Sequence, residues 1–290
     1  KLGQKKKKQI TAVHVLLAIS ISFASEAAVT REMAIITLQN AMTMVKQGYP
    51  ERRTSISTQI ISCGGVEILI NLAISTSSNE ISHVMKLRAA TLLDNLLLAS
   101  GNLLKLTEEQ TSKIWIEYIK ATIGEQRKDG TEPDLTFAGV LIRIIALSAE
   151  KMNWSDPLCA QYLMRLLPKP NRNTNGSITA ESVCLPPNKL HSGISCDFTL
   201  VPSIYCNVLK VIIAYLDSSL VHHDRIQRED GIESFICLLA NSSKLHPLVA
   251  KNAASILARM IKTGDASIKQ YVRDLRGIEI LTVLSQNGKV

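Results

Sequence analysis

The sequence predicts an all-α protein built from stacked helices, and three observations support this fold class. Apolar residues recur at helical spacing through most of the chain. The 290 residues include only 14 glycines and 9 prolines, too few for many short strands separated by turns. A short apolar motif recurs three times. Hydrophobic residues make up 46% of the chain, so it can bury a sizeable core and is not disordered as a whole.

The apolar periodicity predicts eight helices before residue 168. The second helix has Val29, Met33, Ile36 and Ala41 along one apolar side. Thr107 and Gln110 have the spacing of a capping box, which predicts the start of the sixth helix. The eight helices are expected at residues 10–24, 27–46, 52–62, 66–75, 80–99, 107–123, 134–151 and 157–167.

Residues 168–198 interrupt the helical pattern, because this stretch is rich in Pro, Asn, Ser and Gly. Such a long irregular segment is either functional or disordered. We expect it to be mobile and to be cut first by proteases. It divides the chain into helical blocks at 1–167 and 199–290. In the second block helices are expected at 199–216, 219–229, 231–241, 246–262, 265–274 and 276–286.

Two kinds of segment recur along the chain in the same order. Residues 65–72 read GVEILINL, residues 231–238 read GIESFICL and residues 277–284 read GIEILTVL. Each begins with a glycine that is expected to end one helix and permit a sharp turn. Residues 89–96 (AATLLDNL) match residues 253–260 (AASILARM), and residues 34–41 (AIITLQNA) are a weaker third copy.

These motifs resemble the armadillo repeat, and helical repeats of about 40–47 residues are typical of armadillo and HEAT proteins. The resemblance implies a right-handed α-solenoid, an armadillo-like superhelix, with a long irregular insertion. Armadillo proteins that carry nuclear-localisation peptides have a Trp four residues before a groove Asn. Here Asn40 and Asn95 hold the Asn position, but Ile36 and Thr91 hold the Trp position. An importin-like role is therefore not expected.

The resemblance also implies a concave groove lined by the third helix of each repeat, here 27–46, 80–99 and 246–262. Polar side chains outside the Ala/Leu stripe of these helices are the candidate binding residues. An Asn amide can both donate to and accept from the backbone of a bound peptide. The alternative is that these side chains only tie neighbouring repeats together. The candidates are Arg31, Gln39, Asn40, Lys86, Asn95, Asn252 and Arg259.

No catalytic residue, metal ligand or cofactor is expected. The chain lacks the phosphate-binding loop, the Gly-x-Ser-x-Gly elbow and the His-Glu-x-x-His motif. The acidic pairs 108–109 and 229–230 are interpreted as helix starts or turns. His222, His223 and Asp224 are interpreted as a solvated helix start. The spacing of Cys184, His191 and Cys196 fits no standard zinc module.

The formal charge is +8, but four of the lysines form one run at residues 5–8. This run can be a nuclear signal, a phosphate contact or a solvated terminus. The run and the apolar stretch to residue 24 resemble a signal peptide, whereas we interpret residues 10–24 as a buried first helix. The six cysteines include no C-x-x-C pair, which favours a reducing compartment, the cytoplasm or the nucleus.

These observations favour a non-catalytic scaffold that binds a protein or peptide in its concave groove. Because both ends of the chain interrupt the repeat pattern, we expect a fragment of a larger eukaryotic protein. The alternative is a subunit of a nucleic-acid- or chromosome-associated complex, which the basic balance of charge suggests. No membrane partner is expected, since no stretch has the roughly 20 apolar residues of a membrane span.

Overall fold

A computed structural model describes most of the chain, and every regular element among the described residues is helical. The chain divides into two compact units, Lys1–Leu106 and Thr107–Val290. The structure describes residues 11–21, 28–48, 50–75, 81–101, 104–123, 135–169, 178–180 and 202–288.

The described residues of the first unit include five α-helices. Among them α2 packs against α1, α3 and α5, and α4 packs against α5. The pattern in α3–α5 is a first helix, a second helix and a longer third helix. The helices are α1 (Ala12–Ser20), α2 (Ala28–Gly48), α3 (Pro50–Ser62), α4 (Gly65–Ile74) and α5 (His83–Ser100).

The described residues of the second unit include nine α-helices with defined bounds. The same order of first, second and long third helix recurs in α10–α12, and α12 packs against both α11 and α9. The helices are α6 (Glu108–Ile123), α7 (Leu135–Ala146), α8 (Cys159–Met164), α9 (Pro202–Ser218), α10 (Val221–Arg228), α11 (Gly231–Ala240), α12 (Pro247–Thr263), α13 (Ala266–Asp274) and α14 (Gly277–Gln286).

The helices lie close to their predicted positions, and the capping box that begins α6 is confirmed. The Gln110 backbone N–H donates to Thr107 Oγ1 at 3.2 Å, and the Thr107 N–H donates to Gln110 Oε1 at 2.9 Å. The helix predicted at 134–151 is shorter, because α7 ends at Ala146 and a 3₁₀ turn follows at Ala149–Lys151.

The turn from the first to the second helix of each repeat is built in the same way three times. The residue before the motif glycine adopts the left-handed conformation: Gly64 (φ 74°), Asp230 (φ 56°) and Arg276 (φ 58°). The motif glycine is then the first residue of the second helix. The motif glycine is therefore not the turn residue that the sequence predicts, because the left-handed position belongs to the residue before it.

The motif glycine is needed for close packing. A Cβ on Gly65 would lie 2.5 Å from Ile60 Cγ2, and a Cβ on Gly277 would lie 2.7 Å from Val272 Cγ1. A Cβ on Gly231 would lie 2.5 Å from the carbonyl oxygen of Ile226. In each copy the residue that a Cβ would overlap is a β-branched residue five positions before the glycine. The first and second helices therefore meet at a point where only hydrogen fits.

Replacing the motif glycine should destabilise the second unit. We expect Gly231→Ala to lower the free energy of unfolding by about 1–3 kcal/mol, because the new methyl group overlaps Ile226. Arg276→Gly, at the left-handed position of the next such turn, should leave stability unchanged or raise it, since glycine adopts positive φ without strain. Urea denaturation of both variants measures the free energy of unfolding. An equal decrease in Gly231→Ala and Arg276→Gly would contradict this expectation.

The nine core residues predicted from the matched motifs are all buried. Each has an exposed fraction of 5% or less. In unit one they are Leu69, Leu72, Ala89, Leu93 and Leu96, and in unit two they are Phe235, Leu238, Ala253 and Leu257. Their burial confirms the register of the repeat in both units.

Truncating a fully buried leucine of this set should be costly. We expect Leu93→Ala and Leu257→Ala each to cost about 2–5 kcal/mol, because each leaves a cavity in a packed core. Leu98→Ala on α5 and Leu248→Ala on α12 are matched controls, since both side chains are about half exposed. Chemical denaturation should show only a small decrease in the free energy of unfolding for the two controls. An equally small decrease for Leu93→Ala or Leu257→Ala would contradict the repeat register.

The predicted apolar side of the second helix is partly wrong. Val29 and Met33 are exposed in α2, with exposed fractions of 74% and 54%. The buried side of α2 consists of Ala34, Ile35, Leu38 and Met42. The helix has apolar residues on two sides, and the neighbouring helices α1, α3 and α5 cover only one of them.

The predicted solvated helix start at His222 and His223 is also wrong, because both side chains are buried. The His222 ring stacks on Tyr215, with ring centroids 4.0 Å apart, and its Nδ1 donates to the Tyr215 carbonyl oxygen at 2.8 Å. The His223 Nδ1 lies 3.0 Å from Thr263 Oγ1. The two rings therefore contact different residues, and Asp224 is exposed.

Most of the predicted insertion at 168–198 lies outside the described residues, and so do Cys184, His191 and Cys196. Helices from both sides of the insertion pack together, since α7 contacts α9 and α8 contacts α10. The four cysteines in the described part are free thiols, and Cys159, Cys206 and Cys237 are buried. No single described helix is long and apolar enough to span a membrane, although the bent pair 55–62 and 65–74 passes that test jointly.

Candidate functional site: the third-helix stripe

The third helices α2, α5 and α12 each bury one side, and the opposite side is less buried. In α5 the buried side includes Ala89, Leu92, Leu93 and Leu96, and this helix packs against α4 and α2. Positions spaced by four, three and four residues return to the same side of a helix. Four positions with this spacing therefore form a narrow stripe along the less buried side of each third helix.

We call the residues at these positions the third-helix stripe; on α5 and α12 the first of them is exposed and the other three are half-buried. Its four positions coincide in the repeat alignment, so each helix presents the same sequence of sites. On α2 they are Val29, Met33, Ile36 and Asn40; on α5 they are Val84, Arg88, Thr91 and Asn95; on α12 they are Leu248, Asn252, Ser255 and Arg259.

The fourth stripe position in unit one holds two asparagines, Asn40 on α2 and Asn95 on α5. Asn40 is exposed and Asn95 is half-buried. Neither amide has a hydrogen-bond partner within the described structure. Because α2 packs directly against α5, the two amides lie on adjacent helices at the same repeat position. Each offers a donor and an acceptor to a bound chain.

An ion pair joins the stripe of α5 to helix α2. Arg88 Nε donates to Glu32 Oε1 at 3.2 Å, and each side chain is about one-third exposed. An ion pair this exposed contributes little to stability. The pair neutralises the positive charge of the α5 stripe, because the one arginine of that stripe lies against a carboxylate of α2.

In unit two the corresponding polar residues do bond to the neighbouring helix α9. Asn252 Nδ2 donates to the carbonyl oxygen of Cys206 at 3.4 Å. Arg259 Nε donates to Asp217 Oδ1 at 3.0 Å, and its Nη1 donates to the Ser255 carbonyl oxygen at 3.3 Å. These two candidates form the inter-helix ties that the sequence analysis left open as an alternative to partner binding.

The remaining candidates from the sequence lie beside the stripe. Arg31 is buried, with an exposed fraction of 5%, so little of its side chain faces solvent. Gln39 and Lys86 are half-buried, and each interacts with another group of the protein. Asn40 and Asn95 are therefore the two of the seven candidates whose side chains make no polar contact within the described structure.

Sequence reasoning missed the apolar part of the stripe and the acidic partner of Arg88. Val29, Met33 and Val84 follow a helical period, which in sequence is also the signature of a core residue. Glu32 and Arg88 are 56 positions apart, and no local pattern links them. The repeat alignment could have indicated this apolar part of the stripe, since it places Val29, Val84 and Leu248 at the same repeat position.

A buried carboxylate lies in the second unit at the glutamate of the repeated motif. Tyr271 on α13 donates its hydroxyl to Glu233 Oε1 at 2.6 Å, while Glu233 Oε2 is buried without a hydrogen-bond partner. Burial raises the pKa of Glu233, and the hydrogen bond from Tyr271 opposes this rise. The equivalent Glu67 and Glu279 are exposed.

The raised pKa of Glu233 makes stability depend on pH. The native state binds this proton more tightly than the unfolded state does. The contribution of Glu233 to the free energy of unfolding should therefore be highest below the ordinary glutamate pKa of about 4.3 and fall as the pH rises through the raised pKa. Glu233→Gln should raise the melting temperature at pH 7 and flatten this part of the profile.

The matched control is Glu279→Gln at the exposed equivalent position on α14. It should leave the pH profile of the melting temperature unchanged. A Glu233→Gln variant that is less stable than the parent at pH 7 would contradict the assignment of a costly buried charge.

No family model and no characterised protein sequence matches the chain. Among solved structures, an engineered protein is similar, with a TM-score of 0.50 and 20% identity over 95% of this chain and 89% of that one. A second engineered protein has a TM-score of 0.49 and 16% identity over 95% and 91%. A designed armadillo repeat protein has a TM-score of 0.49 and 15% identity over 94% and 91%.

The likeness to the first of these structures concerns the fold alone. The order of first, second and long third helix, the repeated turn and the buried motif residues define an all-α helical-repeat protein. Its repeats are armadillo-like.

Proposed function

We propose that this protein is a non-catalytic scaffold that binds an extended peptide segment along the third-helix stripe of unit one. The single observation that carries the proposal is that the amides of Asn40 and Asn95 have no hydrogen-bond partner among the described residues. They occupy the same repeat position on two helices that pack together. An extended segment that crosses both helices meets one amide at each.

The chemistry of an amide suits a peptide backbone. Each backbone residue offers one N–H and one C=O, and an asparagine side chain can accept from the first and donate to the second. Such contacts are independent of the partner's side chains, so they would provide affinity without fixing the sequence. Helical-repeat proteins commonly use their stacked surfaces for this kind of binding.

The charge of the stripe favours a peptide over a nucleic-acid backbone. A phosphate backbone is bound by arrays of Lys and Arg side chains that have no acidic partner. In the α2 and α5 stripes the one arginine, Arg88, is paired with Glu32. The sequence also lacks the catalytic motifs named above, which supports a binding role.

The proposal predicts that the two asparagines matter for binding and not for stability. A displayed library of random twelve-residue peptides should yield binders to the parent chain. For the most enriched peptide, Asn40→Ala and Asn95→Ala should each weaken affinity by about 3- to 10-fold, which corresponds to the loss of hydrogen bonds worth about 0.5–1.5 kcal/mol. Fluorescence polarisation measures the affinities, and melting temperatures should not change.

Asn71→Ala is the matched control, because Asn71 is an exposed asparagine on the second helix α4 of the same unit. It should not change the affinity. Equal effects from Asn71→Ala and Asn95→Ala, or lower melting temperatures for the stripe variants, would assign the asparagines to structure and remove the support for the proposal.

A further inference from the structure

Unit two contains two long helices, α9 and α12, that can be compared position by position. Each has 17 residues and begins with a proline, Pro202 on α9 and Pro247 on α12. The two helices pack against each other, as the third helices α2 and α5 do in unit one. Helix α9 therefore takes the place of a third helix, and each of its residues corresponds to the α12 residue 45 positions later.

One side of α12 is more exposed than the same side of α9. On α9 the carbonyl oxygen of Cys206 accepts a hydrogen bond from Asn252 of α12, so α12 itself covers this side. The four α12 positions concerned are spaced by three, four and three residues, which places them on one side of the helix. Each is more exposed than its α9 equivalent, given in parentheses: Lys251 (Cys206), Ala254 (Leu209), Ala258 (Ile213) and Ile261 (Leu216).

One side of the second helix α14 is also less buried than its equivalents. Ile278 has an exposed fraction of 40%, whereas the equivalent Val66 on α4 and Ile232 on α11 are buried. Four such positions are spaced by three, one and three residues, so they lie on one side of α14. They are Ile278, Leu281, Thr282 and Ser285, which are half-buried or exposed, whereas their equivalents on α4 and α11 are all buried.

The two sides belong to one surface, because a third helix contacts both kinds of side at once. Helix α5 packs against α4 and α2, and α12 packs against α11 and α9. A third helix thus packs on its own second helix and on the preceding third helix. The same position one repeat further lies against α14 and α12, since α14 packs against α11. No third helix among the described residues takes this position.

Two polar contacts tie α12 to α9 and show which positions of consecutive third helices meet. Asn252 Nδ2 donates to the carbonyl oxygen of Cys206 at 3.4 Å, and Arg259 Nε donates to Asp217 Oδ1 at 3.0 Å. The first contact recurs in unit one, where the ion pair between α5 and α2 joins the same two helix positions. The two donor positions of the later helix are seven residues apart.

Lysines hold the α12 positions that correspond to the two acceptor residues of α9. They are Lys251 and Lys262, and both are exposed. A helix that packs on α12 as α12 packs on α9 brings its own two donor positions to these lysines. Carboxylates at those positions would form ion pairs, whereas basic side chains would be repelled. Residues 247–286 include six Lys or Arg and three Asp or Glu, so the surrounding charge also favours an acidic partner.

We infer that α12 and α14 bind one amphipathic α-helix of a partner protein. This helix has an Ala/Leu stripe like that of residues 253–260, which packs on α14, and two acidic side chains seven residues apart, which pair with Lys251 and Lys262. The surface lies in unit two and is independent of the peptide segment proposed for unit one.

The probe is a synthetic peptide with the sequence of residues 247–263, in which Asn252→Glu and Arg259→Glu supply the two carboxylates. Fluorescence polarisation should show that it binds the parent chain about 10-fold more tightly than the same peptide with Asn252→Lys and Arg259→Lys. In the protein, Lys251→Glu combined with Lys262→Glu should reverse this preference, because each ion pair becomes a repulsion. A merely unfolded variant would lose both peptides and could not reverse the preference.

Lys210→Glu is the matched control, because Lys210 is an exposed lysine on α9. It should leave both affinities unchanged. Ile278→Ser tests the apolar side of α14, and it should weaken binding of the acidic peptide by about 5-fold through lost apolar contact. Its melting temperature should not change, because this side chain is partly exposed in the parent.

Each other outcome overturns the inference. Failure of the acidic peptide to bind the parent, or an unchanged preference in the double lysine variant, removes the ion pairs and leaves the proposed function of unit one standing. Full binding by Ile278→Ser would reduce the contact to unspecific attraction between charges. Concentration-dependent dimerisation of the parent that Lys251→Glu and Lys262→Glu abolish, measured by analytical ultracentrifugation, would identify a second copy as the occupant.

Discussion

The close contact between the motif glycine and the β-branched residue five positions earlier is the constraint on which each repeat depends. It occurs at Gly65 with Ile60, at Gly231 with Ile226 and at Gly277 with Val272. Because a hydrogen atom is all that fits, the second helix can begin directly against the end of the first. The direction of the second helix is thereby fixed, and the third helix has a defined surface on which to pack.

This packing determines which side of the third helix is most buried. The side that contains the small alanines, such as Ala89 and Ala253, is fully buried, and these helices pack against α4 and α2 in unit one and against α11 and α9 in unit two. The opposite side is less buried, and its first position, Val84 on α5 and Leu248 on α12, is about half exposed.

The same stripe serves different purposes in the two units. In unit two Arg259 and Asn252 bond to α9, so these polar groups hold two helices together. In unit one Asn40 and Asn95 have no such bond within the described structure, and the tie between helices comes from Arg88 and Glu32 instead. A repeat position can therefore bond to a neighbouring helix in one copy and make no such bond within the described structure in another.

The sequence by itself determined the helix positions, the Thr107 capping box, the repeat register and the buried motif residues. These depend on local hydrogen bonding and on periodicity, which a sequence displays. Only the tertiary structure decided that Val29 and Met33 face solvent, that His222 and His223 are buried, and that Arg88 pairs with Glu32. The exposed side of a helix depends on which helices pack against it, and an ion pair between residues 56 positions apart depends on how those helices stack. Neither is encoded in any short stretch of residues.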